Sequence, residues 1–149
     1  MKKTLFVTYF VFVAAILSAA GVHDEETHSL TVEVTNLRNS KGVVQFALYN
    51  NADALPDEHY KKYYRKLTAK IINGTSEVTF KNLPPGKYAV NILHDEDSNG
   101  KIKKGLILPK EGIGFSNFTE IGIGNKPNFE KAGFDLSSEK SINIIIVYM

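Results

Sequence analysis

Asp95, Asp97 and Asn99 place an oxygen-bearing side chain at every second position, and Gly100 follows them. D-x-D-x-N-G is the front half of a calcium loop of the EF-hand type. The spacing has a geometric reason. As the chain coils, alternate side-chain oxygens converge on one point, Gly100 permits the sharp turn, and the Lys101 backbone carbonyl supplies a further oxygen. Ile102 is placed to anchor the loop in the core. Asp95, Asp97, Asn99 and the Lys101 carbonyl are therefore the candidate ligands, and Ca2+ is the cofactor they suggest. The bidentate Glu of a complete loop is replaced by Leu106, and Lys101, Lys103 and Lys104 bring positive charge close to the ion. The simpler reading of the same residues is a turn between strands. Asp, Ser, Asn and Gly hydrogen-bond their own backbone and tolerate positive φ.

His94 and Glu111 flank this half-loop. A His beside two carboxylates can ligate zinc or act as a general base, so a metal-assisted hydrolase using His94, Asp95 and Glu111 is the enzyme reading. It requires the three side chains to converge. Neither Gly-x-Ser-x-Gly nor His-Glu-x-x-His occurs, and no catalytic residue is assigned. Further on, Gly112 and Gly114 alternate with Ile113 and Phe115. This pattern implies backbone packed closely against something, with the apolar side chains pinning the loop. His94, Glu111, Phe115 and Asn117 are taken as the ligand-contacting residues of a loop running from His94 to Asn117.

The elements that must hold this loop read mostly as strands. Ser29–Asn36 alternates, with Leu30, Val32 and Val34 on one face. Gly42–Tyr49 is a second strand with Val44, Phe46 and Leu48 on one face, and the short connection suggests a hairpin with the first. Pro56 followed by Asp57 and Glu58 reads as a helix start, and Tyr60, Tyr63, Tyr64 and Leu67 recur at helical spacing. They would pack on the sheet edge; the sharper alternative is an exposed aromatic surface for a glycan or protein partner. Asn73-Gly74 between Thr68–Asn73 and Ser76–Asn82 is a hairpin signal. Lys87–His94 sets Tyr88, Val90, Ile92 and His94 on one face and Ala89, Asn91 and Leu93 on the other. A long loop reaches about Asn128. Phe129–Leu136 reads as a strand, and Ser141–Tyr148, apolar on both faces, as a last strand lying centrally or at the contact between sheets. Seven strands with one short helix indicate an antiparallel β-sandwich over residues 29–149.

Composition narrows the class. Without Lys2 and Lys3 the 18 basic residues fall to 16, matching the 16 acidic ones, so no basic face is declared for nucleic acid. The chain has no cysteine, which excludes disulfides and thiolate chemistry. Lys2 and Lys3, the apolar run Leu5–Leu17 and the small residues to Ala20 match a secretory signal peptide of residues 1–20, followed by a linker over 21–28. No later stretch is long and apolar enough to span a membrane. The expected compartment is periplasmic or secreted.

The stretch HDEDSNGK…LPKEGIGFSN, preceded by LPPGKYAV and followed by PNFEKAGFDL, resembles the bacterial domain of unknown function 2141. The resemblance covers about Leu30 to Val147. It implies a small exported protein of the bacterial envelope and supplies no catalytic residues. The family often carries a further Asp or Asn after the Asn-Gly-Lys, where this chain has Lys103 and Lys104. The LPPG-x-Y turn is similar to that of transthyretin-like and carboxypeptidase-regulatory-like sandwiches, which implies an Ig-like or prealbumin-like fold. The leading expectation is a non-enzymatic binding or accessory module of the cell envelope, its partner an envelope protein or glycan.

Overall fold

The computed structural model describes residues 25–149 apart from 107 and 123. The signal-type segment 1–20 and the start of the 21–28 linker lie outside the described residues. The strands are β1 (His28–Thr35), β2 (Val43–Tyr49), β3 (Arg65–Ala69), β4 (Ser76–Leu83), β5 (Gly86–Asp95), β6 (Gly112–Phe115), β7 (Phe134–Leu136) and β8 (Lys140–Ile145), with a one-turn helix α1 (Phe129–Ala132). They form two sheets, β4-β1-β8 and β3-β2-β5-β6, with β7 paired to β5.

The alternation in β1 is realised as written: Leu30, Val32 and Val34 are fully buried. They meet Val44, Phe46 and Leu48 of β2 and Val90 and Ile92 of β5 in a core between the two sheets. The outer face of the larger sheet is covered as well. Ala47 and Tyr49 of β2, Ala89 and Leu93 of β5 and Ile113 and Phe115 of β6 form a second apolar cluster with Leu55, Tyr60 and Phe129. β5 is therefore buried on both faces, which is why Lys87–His94 carries apolar side chains at odd and even positions.

Several expectations are corrected. β1 and β2 do not form a hairpin, because their apolar faces oppose one another across the core and so belong to different sheets. Asn73 and Gly74 do make a tight two-residue turn, both at positive φ, closed by the Ile72–Thr75 pair. The strands either side then part to opposite sheets, β3 to β2 and β4 to β1. The turn chemistry was local; the pairing was decided by burial.

No helix forms over Pro56–Lys66. Asp57 is buried, and its Oδ2 accepts bonds from Tyr49 Oη (3.2 Å) and Lys62 N (2.7 Å). Tyr60 takes φ 49°, which ends any helical turn. Tyr64 N donates to Leu48 O (2.7 Å), and β3 follows along the open edge of β2. An edge of unpaired amides and carbonyls is satisfied by a strand and not by a helix. Tyr60 is buried, whereas Tyr63, Tyr64 and Leu67 stay about two-fifths exposed at 37, 40 and 38%.

The Phe129–Leu136 segment also divides. Asn128 Oδ1 accepts from Lys131 N (2.9 Å), capping α1, and Phe129 and Ala132 bury one turn apart before β7 begins. Among the described residues the sheets hold eight strands instead of seven, and they are not wholly antiparallel, since β8 runs parallel to β1. The missed strand is β6, whose glycines hide its β character. β8 is an edge strand of its sheet, not a central one. Just past it, Val147 exchanges two hydrogen bonds with Ile113 of β6 (2.8 and 3.0 Å), so the chain crosses from one sheet to the other. Ile142, Ile144 and Ile146 face the core, and the crossing gives Val147 on the opposite face a partner.

Candidate functional site

Successive side chains of a strand point to opposite faces, so His94 and Asp95 part at the end of β5. His94 turns into the core between the sheets and is fully buried. Its Nδ1 lies 2.6 Å from Tyr148 Oη and its Nε2 3.0 Å from Lys41 O. The carbonyl can only accept, so Nε2 carries the proton and Nδ1 accepts from the tyrosine. Both ring nitrogens are spent on structure. Burial raises the Tyr148 pKa, so its hydroxyl keeps the proton it donates.

Asp95 turns the other way and organises the half-loop. Its Oδ1 accepts from Asn99 N (3.1 Å) and its Oδ2 from Gly100 N (2.7 Å), while its carbonyl accepts from Ser98 N (3.3 Å). Asn99 Oδ1 in turn accepts from Lys101 N (2.8 Å). Ser98 and Gly100 sit at positive φ. These are the bonds of a turn that satisfies itself.

The chain then runs out to a tip and back. Lys110 N donates to Lys103 O and Gly105 N to Leu108 O, both at 2.8 Å. Leu106, which stands where a complete calcium loop has its closing Glu, is fully exposed on this tip. The returning arm brings in Glu111 instead. It is buried, with Oε1 accepting from Glu96 N (3.1 Å) and Oε2 from Lys103 N (2.8 Å). One carboxylate oxygen from each of Asp95, Asp97 and Glu111 lies within 4.8 Å of the other two. A buried carboxylate thus approaches Asp95 and Asp97 five residues after the position at which a complete calcium loop carries its Glu. The signal available was a Glu directly before the β6 pattern, which becomes meaningful only when the 103–110 excursion is known to fold back on itself. Ile102 is half-buried and packs on the outer apolar cluster.

Of the lysines, Lys104 is drawn away to Glu58, 2.5 Å from its Oε2. Lys103 Nζ lies 3.5 Å from Asp97 Oδ2, with both side chains exposed. A second clamp holds the start of the loop. Arg38 bonds both carboxylate oxygens of Glu96, Asn39 Nδ2 donates to Glu96 Oε1 (2.6 Å), and Arg38 Nη2 also reaches Lys110 O (3.1 Å). Arg38 holds the Glu96 carboxyl at a pKa of about 2.

The remaining residues of the expected ligand loop serve packing. Phe115 is buried against Phe118. Ser116 Oγ donates to Ala132 O (2.7 Å) and accepts from Val90 N (2.9 Å). Asn117, at positive φ, donates from Nδ2 to Gly133 O (2.9 Å). Residues 115–117 thus fasten α1 to β5. The glycines of β6 make room for the chain end. A Cβ on Gly112 would lie 2.5 Å from Tyr148 Cε1, and one on Gly114 would lie 3.0 Å from Ile145 O.

The structure therefore brings together Asp95, Asp97 and Glu111, keeps Asn99 and Lys101 in the same turn, and sends His94 to the other side of the sheet. The three residues of the hydrolase reading do not converge. Among the described residues, no helix is long and apolar enough to cross a membrane.

In sequence, no curated protein matches the chain. Among solved structures it is similar to the pilus-presented adhesin Spy0125 (Cpa), at 15% identity and a TM-score of 0.27, covering 80% of this chain and 27% of that one. A cysteine-to-alanine mutant of the same adhesin gives 14% identity, a TM-score of 0.27 and coverage of 81% and 27%. The chain spans about a quarter of the length of these structures. The family comparison is the informative one: residues 32–144 match the sequence model of the uncharacterized proteins conserved in bacteria, DUF2141, and the chain belongs to that family.

Proposed function

We propose that this protein is an exported β-sandwich of the bacterial cell envelope, of the Ig-like or prealbumin-like kind. It acts as a non-enzymatic binding or accessory module for an envelope protein or glycan. Its loop from Asp95 to Asn117 is ordered by a divalent cation. The observation that carries the cation reading is the meeting of Asp95, Asp97 and Glu111 oxygens within 4.8 Å, from two arms of one loop. An all-oxygen donor set suits calcium. Backbone amides already aim Asp95 and Glu111, so little ordering remains for the ion to impose. With His94 committed to Tyr148 and Lys41, its imidazole is not available to the site, which favours binding over the hydrolase reading.

The test is thermal denaturation of chelator-stripped protein with and without calcium. Extracellular calcium modules have Kd values of about 10⁻⁴–10⁻³ M. At roughly 5 mM calcium this gives about 1–2 kcal/mol of stabilisation, a rise of several degrees. Asp97→Asn is the variant of choice, because Asp97 is exposed and its one side-chain bond among the described residues is to Lys103 Nζ. It should melt like the parent without calcium and lose most of the calcium shift. An unchanged melting temperature for the parent at that concentration rejects the cation. N-terminal sequencing of the exported protein tests the compartment, and retention of Met1 rejects cleavage.

A further inference from the structure

From Lys101 to Lys110 the chain carries four lysines and no acid. This stretch runs out to a tip and back, closed by the bonds from Lys110 N to Lys103 O and from Gly105 N to Leu108 O (both 2.8 Å). Its base is fixed at two points. Glu111 Oε2 accepts from Lys103 N (2.8 Å), and Arg38 Nη2 donates to Lys110 O (3.1 Å). The tip is thus held out on a braced arm, and what it presents is apolar: Leu106 is fully exposed and Leu108 is 52% exposed. Scattered exposed leucines are ordinary. A turn tip is different, because such positions go to Gly, Asn, Asp or Ser, which suit both the bent backbone and water. Leucine offers neither advantage. The charge beside it is one-sided. Lys104 pairs with Glu58 and Lys103 lies beside Asp97, whereas Lys101 and Lys110 form no ion pair among the described residues. Without Lys2 and Lys3 the chain has as many acids as bases, so this is a local segregation of charge.

We propose that this arm docks on an anionic lipid bilayer, with Leu106 and Leu108 seated at the boundary of the acyl chains and the lysines among the headgroups. Three features select that surface. The apolar side chains stand on a projecting tip, which a fluid layer can mould around without a preformed groove. Lysines flank them on the outgoing and the returning arm. Their stems lie along apolar surface while their ammonium groups reach negative headgroups, so charge and polarity match a bilayer boundary together. A second copy of the chain fits less well. The apolar cleft that could receive a tip lies beside this same arm, and Lys104 and Lys126 line it, so seating a tip there would bring lysines against lysines. The docking surface adds to the binding module proposed above and does not depend on its cation, because the attraction comes from lysines.

The experiment is co-sedimentation of the exported protein with two kinds of vesicle, phosphatidylcholine alone and phosphatidylcholine with phosphatidylglycerol in equal parts. EDTA is present throughout, so the result is independent of the cation reading. The parent should bind the mixed vesicles, leave the neutral ones, and bind more weakly as salt is added. Leu106→Asn should lower the partition about tenfold or more, and Lys101→Gln and Lys110→Gln about fivefold each. Leu106 is fully exposed, so its variants should melt like the parent. The chain has no tryptophan, so Leu106→Trp supplies a single reporter whose emission should move to the blue on the mixed vesicles. Binding carried by the N-terminal residues would be equal in every variant and so is told apart from binding by the tip. No binding to the mixed vesicles, parental partition in Leu106→Asn, or an unmoved emission in Leu106→Trp overturns the proposal. So does a dimer that separates on Leu106→Asn, which would assign the tip to a second copy.

Discussion

Replacing Gly112 by Ala is the sharpest probe of how the site is held. The φ of Gly112 lies outside the left-handed region, so the cost is steric. The new Cβ would stand 2.5 Å from Tyr148 Cε1 and 2.7 Å from Cζ, and nearer still to Ile146 Cγ2. Carbon atoms rest at about 3.5–4.0 Å, so the tyrosine ring must withdraw by roughly 1 Å. That movement breaks the 2.6 Å bond from Tyr148 Oη to His94 Nδ1, and His94 is fully buried. Overpacking costs about 1–3 kcal/mol, and an orphaned buried acceptor about another 1–3 kcal/mol. The sum is about 2–6 kcal/mol, or roughly 8–24 °C in Tm at about 4 °C per kcal/mol for a domain of this size. Urea unfolding followed by circular dichroism measures it, and the slope should stay unchanged. Tyr148→Phe removes the hydroxyl alone and should cost about 1–3 kcal/mol. The double variant should fall short of the sum, because the same bond is lost only once. A Gly112→Ala protein within about 0.5 kcal/mol of the parent, or full additivity with Tyr148→Phe, would refute the account of β6 as a strand thinned to admit the chain end.

The Glu96 clamp predicts a pH dependence. The Arg38 hydrogen bond and charge depress the folded-state pKa of Glu96 to about 2, against about 4.3 unfolded. A depressed acid adds stability that is complete above the unfolded value and is lost as pH falls toward the folded one. Arg38 is itself 44% exposed, and solvent screening reduces the contribution to about 1 kcal/mol. Urea midpoints measured from pH 5 down to about 2 should therefore fall less steeply in Glu96→Gln than in the parent. Lys103→Ala removes the cation 3.5 Å from Asp97 Oδ2. It should tighten calcium binding about two- to fivefold, the scale of an exposed ion pair, as read by the midpoint of a calcium titration of Tm; an unchanged midpoint places Lys103 outside the field of the site.

What could be read in advance follows the range of the forces involved. The alternation of β1 and β2 and the two apolar faces of β5 were legible because burial writes period two into the chain. The Asn73-Gly74 turn was legible because positive φ restricts residue type. Strand partners were not, because the same turn serves strands that stay together and strands that part to two sheets. Pro56, Asp57 and the tyrosine spacing carried every local sign of a helix. The open edge of β2 outweighed them, and nothing in residues 56–66 records that edge. At the site, Asp95, Asp97 and Asn99 were visible as a spacing motif. Glu111 was visible only as an isolated acid, since its role depends on a hairpin tip that returns it to Asp95.

The crossing of residues 146–148 from one sheet to the other has a consequence for the order of events during folding. β1 is flanked by β4 on one side and by β8 on the other, and its pairing with β8 joins residues 110 apart, as in Leu30 with Lys140. Until Ile144, Ile146 and Tyr148 dock, one side of β1 is open, the core between the sheets lacks a wall, and the buried His94 has no hydroxyl to meet. A chain in which those residues have not yet docked exposes Leu30, Val32 and Val34 along an unpaired edge, a state that invites misassociation. Contacts of such sequence separation also fold slowly. The molecule is thus a late-closing one: its first described strand becomes native only when its last described strand arrives.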